Sequence, residues 1–378
     1  MLLAYQKPLK GKSIGIVFGS FCPLHQGHLD MIMRAKKEND GGCVVVVCGY
    51  SGDKGEPKMP HEKRYRYVRE FFRDDDLVSV YAINDSELGI ALYPDGWDEW
   101  LVEFKRLLDI ATEGSDAERI WYVGEPDYYD SLVVRGEKAV LLDRSENLIS
   151  GTMIRSNPLK HWDKIAGTFR RIFSLNILII GTVSEGKSTL TTDLGKYFNS
   201  LYSYEWAQSY VEERCLCPWE FDSTDFMSFL DGQYKLNKSL IDSPVSNGIF
   251  FADSDAMTTR MYAEMHAKDE GYTLKPDEFE VIAAAADEYG RKSRWDKIYL
   301  LCPKGEFVGD TSKFMLNPTK EKRQEMYEIL TENIKRTGYW DIVTVLDGGY
   351  MKNFETIVSD VREMLGNVSD YPSKGDNK

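Results

Sequence analysis

The stretch Asn176–Leu194 reads NILIIGTVSEGKSTLTTDL and decides the fold of the second half of the chain. Its apolar beginning, Ile177–Ile180, predicts a short buried strand. The loop that follows, Gly181–Ser188, matches G-x-x-x-x-G-K-[ST] without a mismatch and leads into a helical pattern. A strand, a glycine loop and a helix in this order predict a P-loop, which binds the phosphates of a nucleoside triphosphate. The alternative is a surface turn rich in Gly and Lys.

The residue types of this loop meet the chemical needs of phosphate binding. Glycines let backbone N–H groups approach phosphate oxygens, and the helix N-terminus adds the positive end of its dipole. Lys187 is predicted to neutralise charge between the β- and γ-phosphates, and Ser188 to ligate Mg²⁺. The nucleotide-binding residues expected in this half are Gly181, Glu185, Gly186, Lys187, Ser188 and Thr189.

A second apolar run, 248–252, ends in the acidic segment Asp253-Ser254-Asp255. An acid at the end of a strand beside a P-loop is the position of a Mg²⁺ ligand or of a general base. We expect Asp253 to act on the substrate or to help hold Mg²⁺. We expect Asp255 to be a metal ligand, with the N-cap of the next helix as the alternative.

The composition of the 378 residues excludes several classes of protein. With 42% hydrophobic and 29% charged residues, the chain is typical of globular proteins, and its length predicts two or three domains. A net charge of −14 argues against general nucleic-acid binding, which needs a basic surface. No apolar run reaches about 18 residues, so we expect no membrane insertion. The six scattered cysteines lack zinc-site spacing and predict reduced thiols in a cytoplasmic protein.

The first half carries another strand–loop–helix pattern. The apolar run 13–18 is followed by GSFCPLHQGH at Gly19–His28, a helical pattern, and the strand-like run CVVVVC at Cys43–Cys48. This β-α-β order predicts a parallel sheet. His25 and His28 fall at the predicted helix N-terminus, where imidazole donors face an anion. Metal chelation and ordinary capping or packing are the alternatives.

The pattern G-x-F-x-P-x-H-x-G-H resembles the phosphate-binding signature of the nucleotidyltransferase α/β-phosphodiesterase superfamily. Its second signature, I-S-x-T-x-x-R, is matched at Ile149–Arg155. The resemblance implies adenylyl transfer, in which a phosphate monoester attacks the α-phosphate of ATP. Because the nucleophile is already an anion, the reaction needs positioning and positive charge more than a strong base. The implied ATP-binding residues are Gly19, Ser20, Phe21, His25, His28, Ser150, Thr152 and Arg155, of which His25, His28 and Arg155 are catalytic.

Polar and aromatic side chains near predicted strand ends are expected to bind the second substrate of each half. Asn84 follows the strand-like run 77–83. Trp97 lies in YPDGWDEW, where it either stacks on a flat cationic heterocycle or anchors the following helix. In the second half, Trp206 or Tyr210 of WAQSYVEE is expected to stack on the same kind of ring.

An adenylyltransferase pattern followed by a P-loop kinase pattern resembles the NadR-type bifunctional nicotinamide mononucleotide (NMN) adenylyltransferase/ribosylnicotinamide kinases. The motifs that carry this resemblance are GSFCPLHQGH, RYRY, YPDGWDEW, GEPDYY, ISGTMIR, GTVSEGKST and FADSDAMTT. It implies an α/β fold of two parallel-sheet, three-layer domains: a Rossmann-like nucleotidyltransferase domain at 1–160, a linker at 161–175 and a P-loop kinase domain at 176–370.

The family implies two ATP-dependent reactions of NAD salvage. The kinase domain phosphorylates the 5′-hydroxyl of nicotinamide riboside with Mg²⁺, using Lys187 and Asp253 as catalytic residues. The first domain adenylylates the resulting NMN to NAD, with Trp97 and Asn84 at the mononucleotide. Functional coupling to a nicotinamide riboside transporter and a homo-oligomeric state are open.

The chain departs from the family pattern in two places. Only about a dozen residues precede the first predicted strand, too few for the helix-turn-helix of some members, so we expect no operator binding. The arginine-bearing lid of the family corresponds here to Pro303–Lys313, which contains lysines and no arginine. A weakened kinase is therefore predicted, with Lys313, near Asp310, as the candidate to neutralise the transferred phosphate.

Two other functions compete with this one. A flavin-type bifunctional kinase/adenylyltransferase joins the same two activities, but its kinase lacks a loop like Gly181–Ser188. A nucleotide-sensing regulator with a degenerate kinase domain would bind ATP or NAD and act on a partner. The presence of His25, His28, Arg155 and Lys187 together favours turnover over sensing.

Overall fold

The structure is a computed structural model and describes residues 7–49, 54–91, 94–143, 148–303 and 319–366. Its contacts divide the chain into two compact units, Met1–Phe173 and Ser174–Lys378. Each unit contains a five-stranded sheet. Within these ranges no helix is both long and apolar enough to cross a membrane.

The first unit alternates strands and helices. Its elements are β1 (Ser13–Gly19), α1 (Gln26–Glu38), β2 (Cys43–Cys48), α2 (His61–Phe71), β3 (Val78–Ile83), α3 (Asp85–Leu88), α4 (Trp97–Ala111), β4 (Glu118–Val123), α5 (Pro126–Val134), β5 (Lys138–Leu141), α6 (Gly151–Ser156) and α7 (Gly167–Arg170). All paired strands are parallel, in the order β3-β2-β1-β4-β5. The order reverses between β1 and β4, and the carboxyl ends of strands at such a switch point are where ligands bind.

Alternating residues of the central strands explain the three layers of this unit. Val17 and Val45 pack into a core on one face of the sheet, whereas Ile16 and Val44 pack into a second core on the other. All six residues of β2 are buried, as a parallel sheet covered on both faces requires. The predicted α/β, three-layer fold is confirmed for this half.

The segment 161–175, expected as a linker, has a compact conformation. Its short helix α7 places Phe169, which is fully buried, in a core of the first unit. Ile165 pairs with His25 in an antiparallel bridge. The segment therefore packs against the strand–helix junction that carries the histidine pair.

The second unit also alternates strands and helices. Its elements are β6 (Leu175–Gly181), α8 (Lys187–Tyr197), β7 (Leu201–Ser203), α9 (Trp206–Arg214), α10 (Ser223–Ile241), β8 (Ile249–Ala252), α11 (Ala256–Lys268), α12 (Pro276–Lys292), β9 (Lys297–Leu301), α13 (Lys320–Thr337), β10 (Val343–Leu346) and α14 (Tyr350–Met364). Its parallel strands follow the order β10-β9-β6-β8-β7.

Neighbouring strands bring the P-loop and the acidic residue Asp253 to the same edge of the sheet. Leu178 of β6 is in register with Ala252 of β8, so the P-loop and Asp253 both leave the carboxyl edge of the sheet. Ile180 and Leu178 are fully buried in the core of the unit. The predicted P-loop architecture is confirmed.

Candidate active sites

The two predicted histidines lie together at the junction of β1 and α1. His25 is the N-cap residue of α1 and is only 3% exposed. The rings of His25 and His28 are stacked, with centroids 3.8 Å apart, and Phe21 packs edge-on against His28 at 4.9 Å. Gly27 lies against this pair, since a Cβ there would be in van der Waals contact with the His25 ring at 3.4 Å. Both imidazoles thus sit where the helix dipole favours an anion.

The second signature forms the N-terminus of α6 and is tied to the first. Ser150 is the N-cap, and its Oγ accepts a hydrogen bond from the Met153 N–H at 3.2 Å. Arg155 donates to Thr152 Oγ1 at 3.2 Å and to the carbonyl oxygen of Cys22. The two signatures, far apart in the sequence, therefore meet beside the loop that follows β1.

Two adjoining cavities open at the carboxyl edge of the first sheet. One, of about 340 Å³, is polar and is lined by His25 and His28. The other, of about 400 Å³, is lined by aromatic rings that include Trp97 and Trp100. The residues that line both are Phe18, Gly19, Ser20, Lys54 and Tyr128. Two ligands, one polar and one with a flat ring, would therefore meet at this shared wall.

Lys54 lies at the shared wall, and the sequence analysis did not single it out. Its Nζ donates a hydrogen bond to Ser20 Oγ at 2.7 Å. Burial lowers the pKa of Lys54, and the positive charges of Arg64 and Arg155 lower it further. Three cations beside two histidines make this edge attractive to phosphate, although Asp30, Glu125 and Asp143 also line the polar cavity. The only feature of the sequence that could have pointed to Lys54 was a lysine in a Gly-containing segment outside any helix or strand.

Two residues of the predicted ATP-binding set differ in accessibility. Gly19 lines both cavities. Phe21 is fully buried and adopts a left-handed φ of 44°. Its ring lies against His28, so the side chain supports the histidine pair rather than facing a cavity.

Trp97 anchors α4, and its role in stacking on a heterocycle stays a prediction. It is the first residue of α4 and is only 6% exposed. Its ring packs edge-on against Phe18 at 6.4 Å and Trp100 at 5.2 Å, and it also lines the aromatic cavity. Trp97 therefore anchors the helix and forms a wall of the cavity at once.

Asp85, the neighbour of the predicted Asn84, lines the aromatic cavity. A Cβ on Gly49 would lie 2.8 Å from Asn84 Oδ1, so the Asn84 side chain packs against that glycine. Asp85 Oδ1 is buried without a hydrogen-bond partner among the described residues. Burial raises the pKa of Asp85, while the charges of His61 and Arg64 oppose that rise. In the sequence, Asn84 and Asp85 both stand out because they follow a strand. Only the packing shows that Asp85 lines the cavity and Asn84 packs against Gly49.

The P-loop has the predicted conformation between β6 and α8. Gly186 has a φ of 80°, in the left-handed region that favours glycine. Lys187 begins α8, is 8% exposed, and its Nζ donates to the Thr182 carbonyl oxygen at 2.9 Å. The exposed residues of the first helical turn are Ser188 and Thr189.

Glu185 of the P-loop forms a buried ion pair that the sequence did not predict. Its Oε1 accepts a hydrogen bond from Arg323 Nη1 at 3.0 Å, and both side chains are less than a tenth exposed. Arg323 belongs to the first turn of α13. The pair joins two segments that are far apart in the sequence, and no local pattern could have revealed it.

Asp253 lies in a buried group of polar side chains beside the P-loop. It is 2% exposed, at the end of β8. Burial raises the pKa of Tyr262 well above its usual range, and the carboxylates of Glu205 and Asp253 raise it further. Glu205 also lines a small cavity with Tyr262. Glu205 is a second carboxylate near this tyrosine, and the sequence analysis missed it.

Asp255 occupies the N-cap of α11. Its carboxylate accepts hydrogen bonds from the Met257 N–H and from Trp295 Nε1–H, each at 2.9 Å. Burial raises the pKa of Asp255 to about 6, and these two bonds oppose that rise. The capping alternative is thus the observed geometry, and metal ligation by Asp255 stays a prediction.

Trp206 and Tyr210 lie on one face of α9 with ring centroids 5.3 Å apart. Trp206 packs flat on α10, since a Cβ on Gly232 would lie 2.3 Å from its ring. The Tyr210 hydroxyl donates to Asp225 Oδ1 at 3.0 Å. Both rings have structural partners, and a role in stacking on substrate stays a prediction.

Asp310 and Lys313 of the predicted lid lie outside the described residues. In the part of the chain that the structure describes, no cluster of three or more His, Cys, Asp or Glu side chains is arranged to hold a metal ion.

Comparison with known proteins identifies the family. Residues 16–157 match the cytidylyltransferase-like family and residues 176–351 match the AAA domain family. A solved NadR protein in complex with NR is 33% identical, over 95% of this chain and 98% of that chain, with a TM-score of 0.83. The chain belongs to the NadR family. A NadR protein solved with NAD and AMP-PNP has the same identity and coverage and a TM-score of 0.81.

The curated NadR relatives agree with the solved ones. The trifunctional NAD biosynthesis/regulator protein NadR of Escherichia coli (strain K12) is 29% identical over 383 residues, which cover 96% of this chain and 86% of that protein. The NadR protein of Salmonella typhimurium is also 29% identical, over 381 residues. NadR family membership confirms the predicted family and fold class, and with them the expectation of a bifunctional adenylyltransferase and kinase.

Proposed function

We propose that this NadR-family enzyme converts nicotinamide riboside to NAD in two ATP-dependent steps, one in each compact unit. The unit Ser174–Lys378 phosphorylates the riboside, and the unit Met1–Phe173 joins the product to an adenylyl group. NMN is the product of the first step and the substrate of the second, and pyrophosphate leaves in the second.

The observation that carries the adenylyltransferase assignment is the pair of adjoining cavities in the first unit. The polar cavity, with His25 and His28 at the N-terminus of α1, suits the triphosphate of ATP. The aromatic cavity, with Trp97 and Trp100, suits a pyridinium ring, because cations are attracted to the faces of aromatic rings. The NMN phosphate would then approach the α-phosphate at the wall that both cavities share.

Catalysis in the first unit is electrostatic. As the α-phosphate bond to pyrophosphate breaks, negative charge grows on the leaving group. The imidazole N–H groups of His25 and His28 and the guanidinium of Arg155 donate to it. Lys54 neutralises the NMN phosphate at the shared wall. No group has to remove a proton, since the attacking phosphate oxygen is already ionised.

Catalysis in the second unit combines phosphate positioning with proton removal. The P-loop N–H groups and Lys187 hold the β- and γ-phosphates of ATP. Asp253 accepts the proton of the 5′-hydroxyl as that oxygen attacks the γ-phosphorus, and ADP leaves. Glu205, which lines a small cavity with Tyr262, orients the riboside.

The donor set of the P-loop fits Mg²⁺. The exposed Ser188 hydroxyl and the carboxylate of Asp253 or Asp255 are hard oxygen ligands of the kind this ion takes. When bound, Mg²⁺ neutralises charge that moves onto the β-phosphate. A cytoplasmic location stays a prediction, and coupling to a nicotinamide riboside transporter and homo-oligomer formation stay open.

Product analysis by chromatography tests the proposal. Nicotinamide riboside, ATP and Mg²⁺ are incubated with the wild type, with Lys187→Ala and with His28→Ala. We expect NAD from the wild type, no product from Lys187→Ala, and NMN alone from His28→Ala. A wild type that makes NAD only from supplied NMN would instead favour a nucleotide-sensing regulator with a degenerate kinase unit.

A further inference from the structure

Arg323 is a buried cation held against the P-loop by one of the loop's own residues. Its Nη1 donates to Glu185 Oε1 at 3.0 Å, and the two side chains are 7% and 6% exposed. Its Nε is also buried and has no hydrogen-bond partner in the described ranges. An arginine has five N–H donors, so this single bond leaves donors for another acceptor.

A carboxylate is an unexpected residue in a loop that binds anions. Glu185 directly precedes Gly186-Lys187, where phosphate oxygens are held, and an isolated buried carboxylate there would repel them. The guanidinium of Arg323 cancels that charge. A buried ion pair adds little to the stability of a protein, because the cost of desolvating the two charges offsets their attraction. The placement of this pair at a phosphate-binding loop points to a role in binding.

Lys187 is the cation of the P-loop itself, whereas Arg260 is held by partners on neighbouring helices. Lys187 Nζ donates to the Thr182 carbonyl oxygen. Arg260, on α11, bonds Asn333 and pairs with Glu264 and Asp287. Arg323 is thus the guanidinium that the described part of the second unit brings to the P-loop.

Arg323 provides an arginine that the predicted lid does not contain, and it lies a short distance after that lid in the sequence. The segment Pro303–Lys313 contains no arginine, and a weakened kinase was predicted for that reason. Arg323 follows on α13, a regular helix whose N-cap Thr319 accepts from the Lys322 N–H at 3.2 Å. Because Arg323 belongs to a capped helix, its guanidinium is positioned without the ordering of a loop.

We propose that Arg323 is a catalytic residue of the kinase that binds a phosphate oxygen at the β/γ end of ATP, and that Glu185 is its positioning residue. The proposal rests on the proposed kinase function. Glu185 keeps one Nη1 donor and thereby fixes the plane of the guanidinium, and the other donors contact the phosphate. As the bond between the γ-phosphorus and the bridging oxygen breaks, negative charge develops on ADP. Arg323 stabilises that charge.

The first test measures kinase kinetics in the full chain. Arg323→Ala is expected to reduce kcat/KM for ATP by about 100-fold or more, as the loss of a transition-state donor does. Arg323→Lys should fall in between, because lysine keeps the charge and loses the planar fork. Glu185→Gln should also lower kcat, and it should change the free energy of unfolding less than Arg323→Ala does. Adenylylation of supplied NMN by the same samples is the internal control, and Arg336→Gln, an exposed arginine of the same helix, is the matched variant.

Two further measurements separate catalysis from a merely structural pair. Guanidinium ion, added well below denaturing concentrations, should partly restore the kinase activity of Arg323→Ala and leave the wild type unchanged. Calorimetric titration with AMP-PNP should show weaker binding to Arg323→Ala than to Arg336→Gln. The proposal is overturned if Arg323→Ala and Arg323→Lys keep kcat and KM, or if they only lower the unfolding temperature. Failure of the proposed kinase function is a distinct result, because the wild type would then bind AMP-PNP without phosphorylating the riboside.

Discussion

The imidazole rings of His25 and His28 are stacked face to face, 3.8 Å between centroids and 27° between planes. One ring therefore limits the position of the other, and both side chains line the polar cavity at the N-terminus of α1. Residues in such contact do not act independently, so their contributions to catalysis should not add.

Removal of either histidine should impair adenylyl transfer. His25→Ala and His28→Ala are each expected to lower kcat/KM by about 100-fold, because each removes a donor to the leaving pyrophosphate. The double variant should lose less than the product of the two effects. NAD formation from NMN and ATP is the measurement. His161→Ala, a change in the same unit at a residue that lines neither cavity, is the control. Near-normal rates for both single variants would contradict the assignment.

Asp85 and Asn84 should respond differently to substitution. Asp85→Asn removes a buried charge that lines the aromatic cavity and should raise KM for NMN by about tenfold, the effect of one charged hydrogen bond. Asn84→Ala should leave KM unchanged and lower the free energy of unfolding by about 1 kcal/mol, because the side chain packs on Gly49. Steady-state kinetics and chemical unfolding of the two variants decide this. The reverse pattern would restore Asn84 as the substrate contact.

Asp253 and Glu205 are expected to differ in the kinase reaction. Asp253→Asn removes the proposed base and should lower kcat by about 10²- to 10⁴-fold. Glu205→Gln keeps hydrogen-bonding capacity and should mainly raise KM for the riboside. Initial rates of NMN formation at saturating ATP separate kcat from KM. A greater loss of kcat in Glu205→Gln would transfer the role of base to that residue.

The stability of the second unit should depend on pH through Asp255. Its pKa is raised to about 6 in the folded protein, from an ordinary value of 3.8, because its carboxylate is buried. The group binds its proton more tightly when folded, so its contribution to stability is full below pH 3.8 and is lost as pH rises through about 6. Over that window the loss is about 3 kcal/mol, from about 1.4 kcal/mol per pKa unit.

The comparison variant for this pH effect is Asp255→Ser, which keeps an N-cap oxygen and has no charge to titrate. Unfolding is followed by denaturant titration from pH 4 to pH 7. We expect the wild type to lose stability relative to Asp255→Ser as the pH rises. A difference that is constant across this range would show that Asp255 has an ordinary pKa.

Local sequence patterns were sufficient for the two folds and for the two phosphate-binding loops. A P-loop and the GSFCPLHQGH loop each need glycines and a donor at fixed spacing between a strand and a helix, so they can be recognised without long-range information. The apolar run Cys43–Cys48 was recognised as a strand with its observed bounds, because an apolar run is also a local pattern.

Side-chain partners across the fold were decided by tertiary structure alone. Glu185 meets Arg323 because α13 packs on α11 and α12 and its first turn reaches the P-loop. Asp85 rather than Asn84 lines a cavity, and the Asn84 side chain packs against Gly49. Lys54 reaches Ser20 from a segment with no periodic pattern. Periodicity reports which face of an element is buried, whereas the partner of a buried charge depends on packing between distant elements. The sequence thus predicted where phosphate binds, and the tertiary structure decided which charged groups surround those positions.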